Sequence, residues 1–289
     1  MELRTLKNFL VVAREGNVTR AAELLHMSQS ALSRQIMALE TELGAKLFTR
    51  GRSSVTLTNE GELLSRRARE MLELANKAEQ EVASGGEEIS GTISIGSCDS
   101  RGKHTLVEIM TKFRRLHPRV TFKIFSMPAD SIRERIERGQ LDIGLMVEPV
   151  GTEKLNYVRL KETDTWGILM PESWQLARKE RIRAEDLIGV PLMMPRRVLL
   201  KNELTNWFGE LYEKMDVVLD FNIGFNTAEL VRGGLGAAMS FIREMEEHAG
   251  LCCRPLEPEL HSGSIIGWKK GQHLAPVMEE FVAMVKECV

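Results

Sequence analysis

The sequence predicts a small helical domain finished by a β-hairpin, then a long helix, then a larger α/β region built as two units. Three observations carry this expectation. Apolar residues follow helical spacing from Leu3 to Leu43 and then give way to an alternating segment around Gly51. A run opening at Asn59 repeats its apolar residues every three or four positions up to Gly85-Gly86. From Gly91 onward, short alternating or continuous apolar runs alternate with helical patterns, as in a parallel sheet with covering helices. The length of 289 residues suits two or three packed units, and 43% hydrophobic with 28% charged residues is the composition of a folded globular chain.

In the first domain, Leu6, Phe9, Leu10, Val12 and Ala13, then Ala21, Ala22, Leu24 and Leu25, outline two helices with a tight turn at Glu15-Gly16-Asn17. Ser28 stands where an N-cap belongs, and Leu32, Ile36, Leu39 and Leu43 form the inward stripe of a third helix. Its outward face is then Gln29, Ser30, Ser33, Arg34 and Met37. Lys46 to Thr58 alternate as a short hairpin, or wing, with Arg50 and Arg52 near its tip. Asn59 followed by Glu62 predicts a capping box at the start of the long helix. Leu64, Ala68, Met71, Ala75, Ala78 and Val82 make a heptad seam along that helix, which predicts self-association through this face.

The α/β region opens with a strand at Thr92–Gly96, a helix marked by Leu106, Ile109, Met110 and Phe113, and a strand through Val120, Phe122 and Ile124. A helix at Ile132 and Ile136 and a buried strand at Leu141–Val147 complete the first unit. The second unit comprises Trp166–Met170, a helix at Asp186-Leu187, Pro191–Met194, a helix from Leu204 to Leu211, Val217–Phe221, a helix from Thr227 and Ala237–Met239. The strand Ile265–Trp268 and a closing helix with Val277, Phe281, Val282 and Val285 follow. Ligands of open α/β sheets bind beyond the carboxyl ends of strands, where helix N-termini present unpaired amides. This marks Ser97, Cys98, Asp99, Ser100 and Arg101, then Ser126, Met194, Arg196, Asn226 and Thr227, as candidate walls of a small-molecule cleft. A carboxylate at Asp99 disfavours a ligand that is only an anion unless Arg101 or Arg196 offsets it. The expected effector therefore carries both an acidic group and a cationic or hydrogen-donating one.

Residues 1–58 hold eight Lys or Arg against five Glu, a net +3 that leaves −5 for the rest. Such asymmetry suits a polyanion-binding module joined to something that is not one. With its third helix and wing, the first domain has the parts of a winged helix-turn-helix. On that reading Gln29 meets a base edge through its amide, and Ser30 and Ser33 bond bases or phosphates. Arg34 meets a phosphate, and Arg50 and Arg52 enter the neighbouring minor groove or clamp its backbone. Charges at Glu2, Arg4 and Lys7 break any leader-like apolar core, and no run is long enough to span a membrane, so a cytoplasmic location is expected. The four Cys form no C-x-x-C pair, and no metal or cofactor is expected. Cys98, Asp99 and His104 are neighbours in sequence, but nucleophilic catalysis needs proximity in space, and no phosphate-binding glycine loop or H-E-x-x-H occurs. An enzyme is not expected.

The stretch from Phe9 to Glu62 strongly resembles the N-terminal domain of LysR-type transcriptional regulators. The match runs through AAELL, SQSALSRQI, LETELGAKLF, the Arg50/Arg52 wing and TLTNEG. GTISIG, LDIGLM and VRGGLGAAMS resemble the family's effector domain by pattern. Asn17 and Ser30 depart from the usual Ser and Pro, which bears on capping and base preference. The resemblance implies a DNA-binding domain at 1–58, a linker and dimerisation helix with hinge at 59–90, and a periplasmic-binding-protein-like effector domain at 91–289. Two crossover strands, near Leu160–Asp164 and Ser264–Trp268, would divide it into subdomain I (91–161 plus 267–289) and subdomain II (162–266). It further implies double-stranded promoter DNA and a small-molecule effector as partners, homodimers assembling into homotetramers, and RNA polymerase as a further contact. Two alternatives stand beside it: a thiol-based redox regulator acting through Cys98, and a small-molecule-binding protein that does not bind DNA.

Overall fold

The computed structural model describes the chain except residues 52–53, 84–88, 223–226 and 243–249. Arg52, Asn226 and the Gly85-Gly86 hinge thus lie outside the described residues, as do the side chains of Arg50 and Val82. The chain divides into two compact units, Met1–Gly85 and Gly86–Val289.

The first unit contains α1 (Leu3–Glu15), α2 (Val18–Leu24), α3 (Gln29–Leu43), the hairpin β1 (Phe48–Arg50) and β2 (Val55–Leu57), and α4 (Asn59–Ala83). Gly16 closes α1 with φ 60°, a left-handed conformation that costs a residue without Cβ nothing. Asn17 then caps α2 by accepting from the Arg20 N–H at 3.0 Å, and Ser28 caps α3 by accepting from the Ala31 N–H at 3.2 Å. Phe9, Val12, Ala21, Ala22, Leu32, Ile36, Leu39, Leu47 and Phe48 form the core. Leu43, expected in the buried stripe, is 41% exposed. It ends α3 beside the left-handed Gly44, and Glu40 points inward one turn earlier.

The start of α4 also differs from expectation. Its cap is Thr58, not Asn59: Thr58 Oγ1 accepts from the Gly61 N–H at 3.0 Å while donating to the Lys46 carbonyl at 2.6 Å. A Cβ at Gly61 would lie 2.1 Å from the Leu47 carbonyl oxygen, so the helix comes down onto the strand here only because that residue has no side chain. Ala68, expected in a seam between copies, is 0% exposed within one chain, packed with Leu6 and Leu72, while Leu64 and Met71 pack beside it. The apolar repeat of the first half of α4 therefore serves its own domain. The helix falls within the first compact unit, Met1–Gly85. Ala75 is half-buried and Ala78 exposed.

The second unit contains β3 (Gly91–Ser97), α5 (Lys103–Leu116), β4 (Val120–Ser126), α6 (Ala129–Glu137), β5 (Ile143–Val147) and the 17-residue β6 (Leu155–Pro171). Then come β7 (Pro191–Pro195), α7 (Val198–Phe208), β8 (Asp216–Phe221), α8 (Thr227–Arg232), β9 (Ala237–Phe241), β10 (Leu251–Pro255), β11 (His261–Lys269) and α9 (Pro276–Cys288). The helix expected at Asp186-Leu187 is a single 3-10 turn, Ala184–Leu187. The strands described run β4-β3-β5-β11-β6-β9-β7-β8, with β10 also paired to β6. β3, β4 and β5 are mutually parallel, as are β7, β8 and β9, so each half is a small wound sheet whose strand carboxyl ends face one way. In the first half, Ile93, Leu106, Phe113 and Phe281 fill one side of the sheet and Ile132, Ile136 and Met146 another cluster. Trp166, Leu192, Leu204 and Met239 fill the second half.

The antiparallel pair β6 and β11 joins the halves. β6 pairs with β11 over its first part, with β9 over Trp166–Leu169 and with β10 over Gly167–Pro171. Ser264–Trp268, expected as the second crossover, instead pairs residue by residue with Val147–Ile143 and belongs to the first half. The return crossing therefore lies earlier, where His261–Gly263 pair with Thr165–Thr163 before an irregularity at Gly263/Ile265. Central strands of this kind are long apolar runs, and periodicity alone does not mark where one sheet half ends.

Candidate functional site

The first candidate site is the outer face of α3. Gln29, Ser30 and Arg34 are exposed and Ser33 half-buried, with Met37 as the apolar member of the face. Arg34 Nε reaches only the Ser30 carbonyl of its own helix, at 3.4 Å, and Ser30 shares a 3.2 Å hydrogen bond with Ser28. None of these side chains is drawn into the core, so the face presents donors and a cation outward. The wing places Arg50 on β1, paired in register with Val55.

Two polar devices hidden from the apolar pattern hold α3 in place. Asn8 on α1, 5% exposed, donates to Gln35 Oε1 at 2.7 Å, and Gln35 Nε2 donates to Thr5 Oγ1 at 3.1 Å. Glu40, 6% exposed, accepts from the Leu47 N–H at 2.8 Å and the Phe48 N–H at 3.3 Å through one oxygen, and from Lys46 Nζ at 3.0 Å through the other. Burial pushes the Glu40 carboxyl up, but the Leu47, Lys46 and Phe48 hydrogen bonds together more than offset it and hold its pKa below the usual carboxylate value. Glu40 so ties the end of α3 to the root of the wing. Its signal in the sequence is that, of the two Glu within LETELGAKLF, Glu40 falls four residues after the inward-facing Ile36.

The second candidate site lies at the carboxyl ends of β3 and β5. Ser97 ends β3 and Cys98 follows it; the Cys98 N–H donates to the Leu145 carbonyl at 3.1 Å and the Ser97 carbonyl accepts from the Met127 N–H at 3.2 Å. The turn that follows is sewn to the crossing strand by Asp164, 1% exposed, whose two oxygens each accept from the Arg101 N–H at 3.1 Å. Ser100 and Ser264 are fully buried, and neither hydroxyl has a hydrogen-bond partner among the described residues. A buried hydroxyl left unpaired is costly; Ser100 lies in the turn after β3, and Ser264 lies within β11 opposite Val147, the last residue of β5.

The other predicted wall residues are distributed differently. Met194 is 2% exposed and packs inside the core of the second half, because alternation along β7 sends it to that face while Met193 joins the cluster on the other. Thr227 is buried at the first turn of α8, and Ser126 is exposed at the end of β4. Asp99 is exposed and pairs with Lys103 of α5 at 3.7 Å. Arg196 points to solvent. The adjacent Arg197, which the sequence did not single out, is the buried one, with its guanidinium on Asp130 Oδ2 at 3.3 Å, the Val147 carbonyl at 3.3 Å and the Pro149 carbonyl at 2.7 Å. Two adjacent arginines have the same signature in sequence; only the turn after β7 decides which enters the cleft. Burial pushes the Cys98 thiol up to about 12. At neutral pH it is then protonated almost completely, the unreactive form of a cysteine.

Comparison with known proteins agrees with both units. A family model described as LysR substrate binding domain matches residues 86–288, and one described as bacterial regulatory helix-turn-helix protein, lysR family, matches residues 3–62. The Hca operon transcriptional activator HcaR of Escherichia coli is 31% identical over 292 residues, covering 99% of this chain and 98% of its own length. The transcriptional regulator BsdA of Bacillus subtilis is 30% identical over 83% of each chain. Among solved structures, the LysR family regulator CbnR superposes with a TM-score of 0.75 at 21% identity over 100% of this chain and 99% of its own. The same regulator complexed with its target DNA gives 0.75 at 22% identity over 100% of both chains. No helix among the described residues is long and apolar enough to cross a membrane.

Proposed function

The chain belongs to the LysR family of transcriptional regulators, and we propose that it reads promoter DNA through α3 and the wing, under control of a small molecule held at the strand ends of its second unit. The observation that carries the DNA reading is the face of α3: a helix capped by Ser28 and buried along Leu32, Ile36 and Leu39 leaves Gln29, Ser30, Ser33 and Arg34 outward. A helix of this kind fits a major groove about 12 Å wide. Arg50 and Arg52 are assigned to the flanking backbone or minor groove. Arg34 supplies a phosphate contact, which positions without specifying, and Gln29 a base contact, which specifies.

The effector site is assigned to Ser97, Ser100, Arg101, Ser126, Asn226 and Thr227, with Asp99 at its rim. Ser100 and Ser264 supply the hydroxyls that await a partner. With Asp99 at the rim beside Lys103, an effector that carries an acidic group and hydrogen-bonding groups able to meet two hydroxyls is the class assigned here. Effector binding shifts the closure of the two halves and so the placement of paired winged domains. Pairing is assigned to the outer part of α4, through Ala75, Ala78 and Val82, since Leu64, Ala68 and Met71 pack within their own chain. Assembly into homotetramers, contact with RNA polymerase and a cytoplasmic location complete the proposal. A redox reading finds no support in Cys98, whose thiol is held protonated.

A binding titration tests the DNA roles. Arg34→Ala weakens specific and non-specific duplexes alike and lowers the salt slope by about 1, whereas Gln29→Ala mainly relaxes sequence preference, by ~1–3 kcal/mol of discrimination. The reverse pattern shows the roles to be misassigned. A purified chain that ignores duplexes at low salt overturns the function itself.

A further inference from the structure

Arg197 sits at the junction of β7 and α7, in the second half of the sheet, yet its guanidinium bonds to three groups of the first half: Asp130 lies in the first turn of α6, Val147 ends β5, and Pro149 follows it. Its side chain is 10% exposed. A guanidinium presents five donors in a fixed fork, and here the fork spans one carboxylate and two carbonyls. Apart from the two crossing strands, this is a charged bridge between the halves at the mouth of the cleft. Two further carboxylates stand around it. Burial pushes the Glu203 carboxyl on α7 up, with Arg197 opposing the rise and Glu148 adding to it. Glu148 itself is paired with Arg159 at 2.7 Å.

The geometry points to Arg197 as a strap that holds the two halves of the effector unit together before any ligand arrives, so that the resting closure of the cleft is set by a side chain as well as by the crossing strands. Opening the cleft breaks these three hydrogen bonds together and exchanges them for bonds to water, and because the bonds come from one fixed fork their modest net contributions are gained or lost as a set. Two states separated by such a contact are the kind of bistable element that a ligand or a mutation biases. The strap goes beyond the proposed effector site, because it acts whether or not that site is filled.

Hydrogen exchange on the full-length protein, read by peptide, tests it. Arg197→Gln is expected to speed exchange by about tenfold or more, not only at the start of α7 but also across the gap, in residues 129–133 and 147–151, while peptides of the winged domain keep their rates. Asp130→Asn, which removes the carboxylate and leaves both carbonyl contacts, is expected to give a smaller increase in the same peptides. Arg197→Lys, with its single ammonium, should fall between Arg197→Gln and the parent. If residues 129–133 and 147–151 keep the parent rates in both Arg197→Gln and Asp130→Asn, the strap does not exist. If Arg197→Gln proves unfolded, Asp130→Asn alone decides in the same way.

Discussion

The two units of this chain present their candidate sites in opposite ways. On the winged domain, Gln29, Ser30, Ser33 and Arg34 lie within six residues of one helix, and the site is complete once that helix forms and its other face is buried. In the second unit, Cys98, Ser100, Val147, Asp164, Arg197 and Ser264 come from five separate segments and meet only when two wound sheets are joined by β6 and β11. A local site tolerates error in the surrounding fold; an assembled one depends on all of it. The same contrast runs through the buried polar groups. Glu40 and Asn8 are fully engaged and stiffen the reading helix, while Ser100 and Ser264 are left unpaired at the place assigned to a ligand.

The comparison can be broken most severely in the core of the winged domain. Phe9 is fully buried, with its ring centroid 5.3 Å from that of Phe48 on the wing. Phe9→Ala is expected to destabilise by ~3–5 kcal/mol in denaturant titration and to abolish DNA binding, while a melting transition of the second unit persists. Loss of both transitions together would mean that the units do not fold separately.

A smaller effect is expected at Glu40. Glu40→Ala leaves the Leu47 and Phe48 N–H groups without their acceptor, at a cost of ~1–3 kcal/mol near neutral pH. Because one oxygen takes both N–H groups, Glu40→Gln should recover much of this. The carboxyl's pKa is lowered in the folded state, so its charge-dependent contribution is fully present above the usual carboxylate value and is lost as pH falls through the lowered one. The gap between parent and Glu40→Gln should therefore narrow on acidification. A gap that widened would reverse the assignment.

The smallest effect, and the one of opposite sign, is expected in the cleft. Ser264→Ala removes a buried hydroxyl that has no partner, so the ligand-free protein should melt at the same or a slightly higher temperature, within about 1 kcal/mol. A clear loss of stability would show that the hydroxyl is engaged in the resting protein, and the contrast with Glu40 would disappear.

The fold of the winged domain was legible because its signals are local. Ser28 before Leu32, Ile36 and Leu39, or alternation around Gly51, needs only short-range periodicity and the chemistry of caps and turns. The heptad reading of α4 misassigned Ala68 for a related reason: an apolar repeat says that a face is covered, not by what, and here α1 of the same chain covers it. Likewise, alternation placed Met194 on β7 without saying on which side of the strand the cleft lies.

By itself, the sequence marked most of the helices and strands, where the charge lies, and the LysR-like winged domain. These follow from propensities, periodicities and motifs contained within a few turns of chain. Only the tertiary structure decided that Thr58 rather than Asn59 caps α4, that Arg197 rather than Arg196 enters the cleft, and that β11 leaves Ser264 in the first half. Each of those outcomes depends on which distant group arrives as partner: the Lys46 carbonyl, Asp130 of α6, or the neighbouring strand β5. Such partners are set by long-range packing, which brings together residues whose separation along the chain bears no relation to their distance in space.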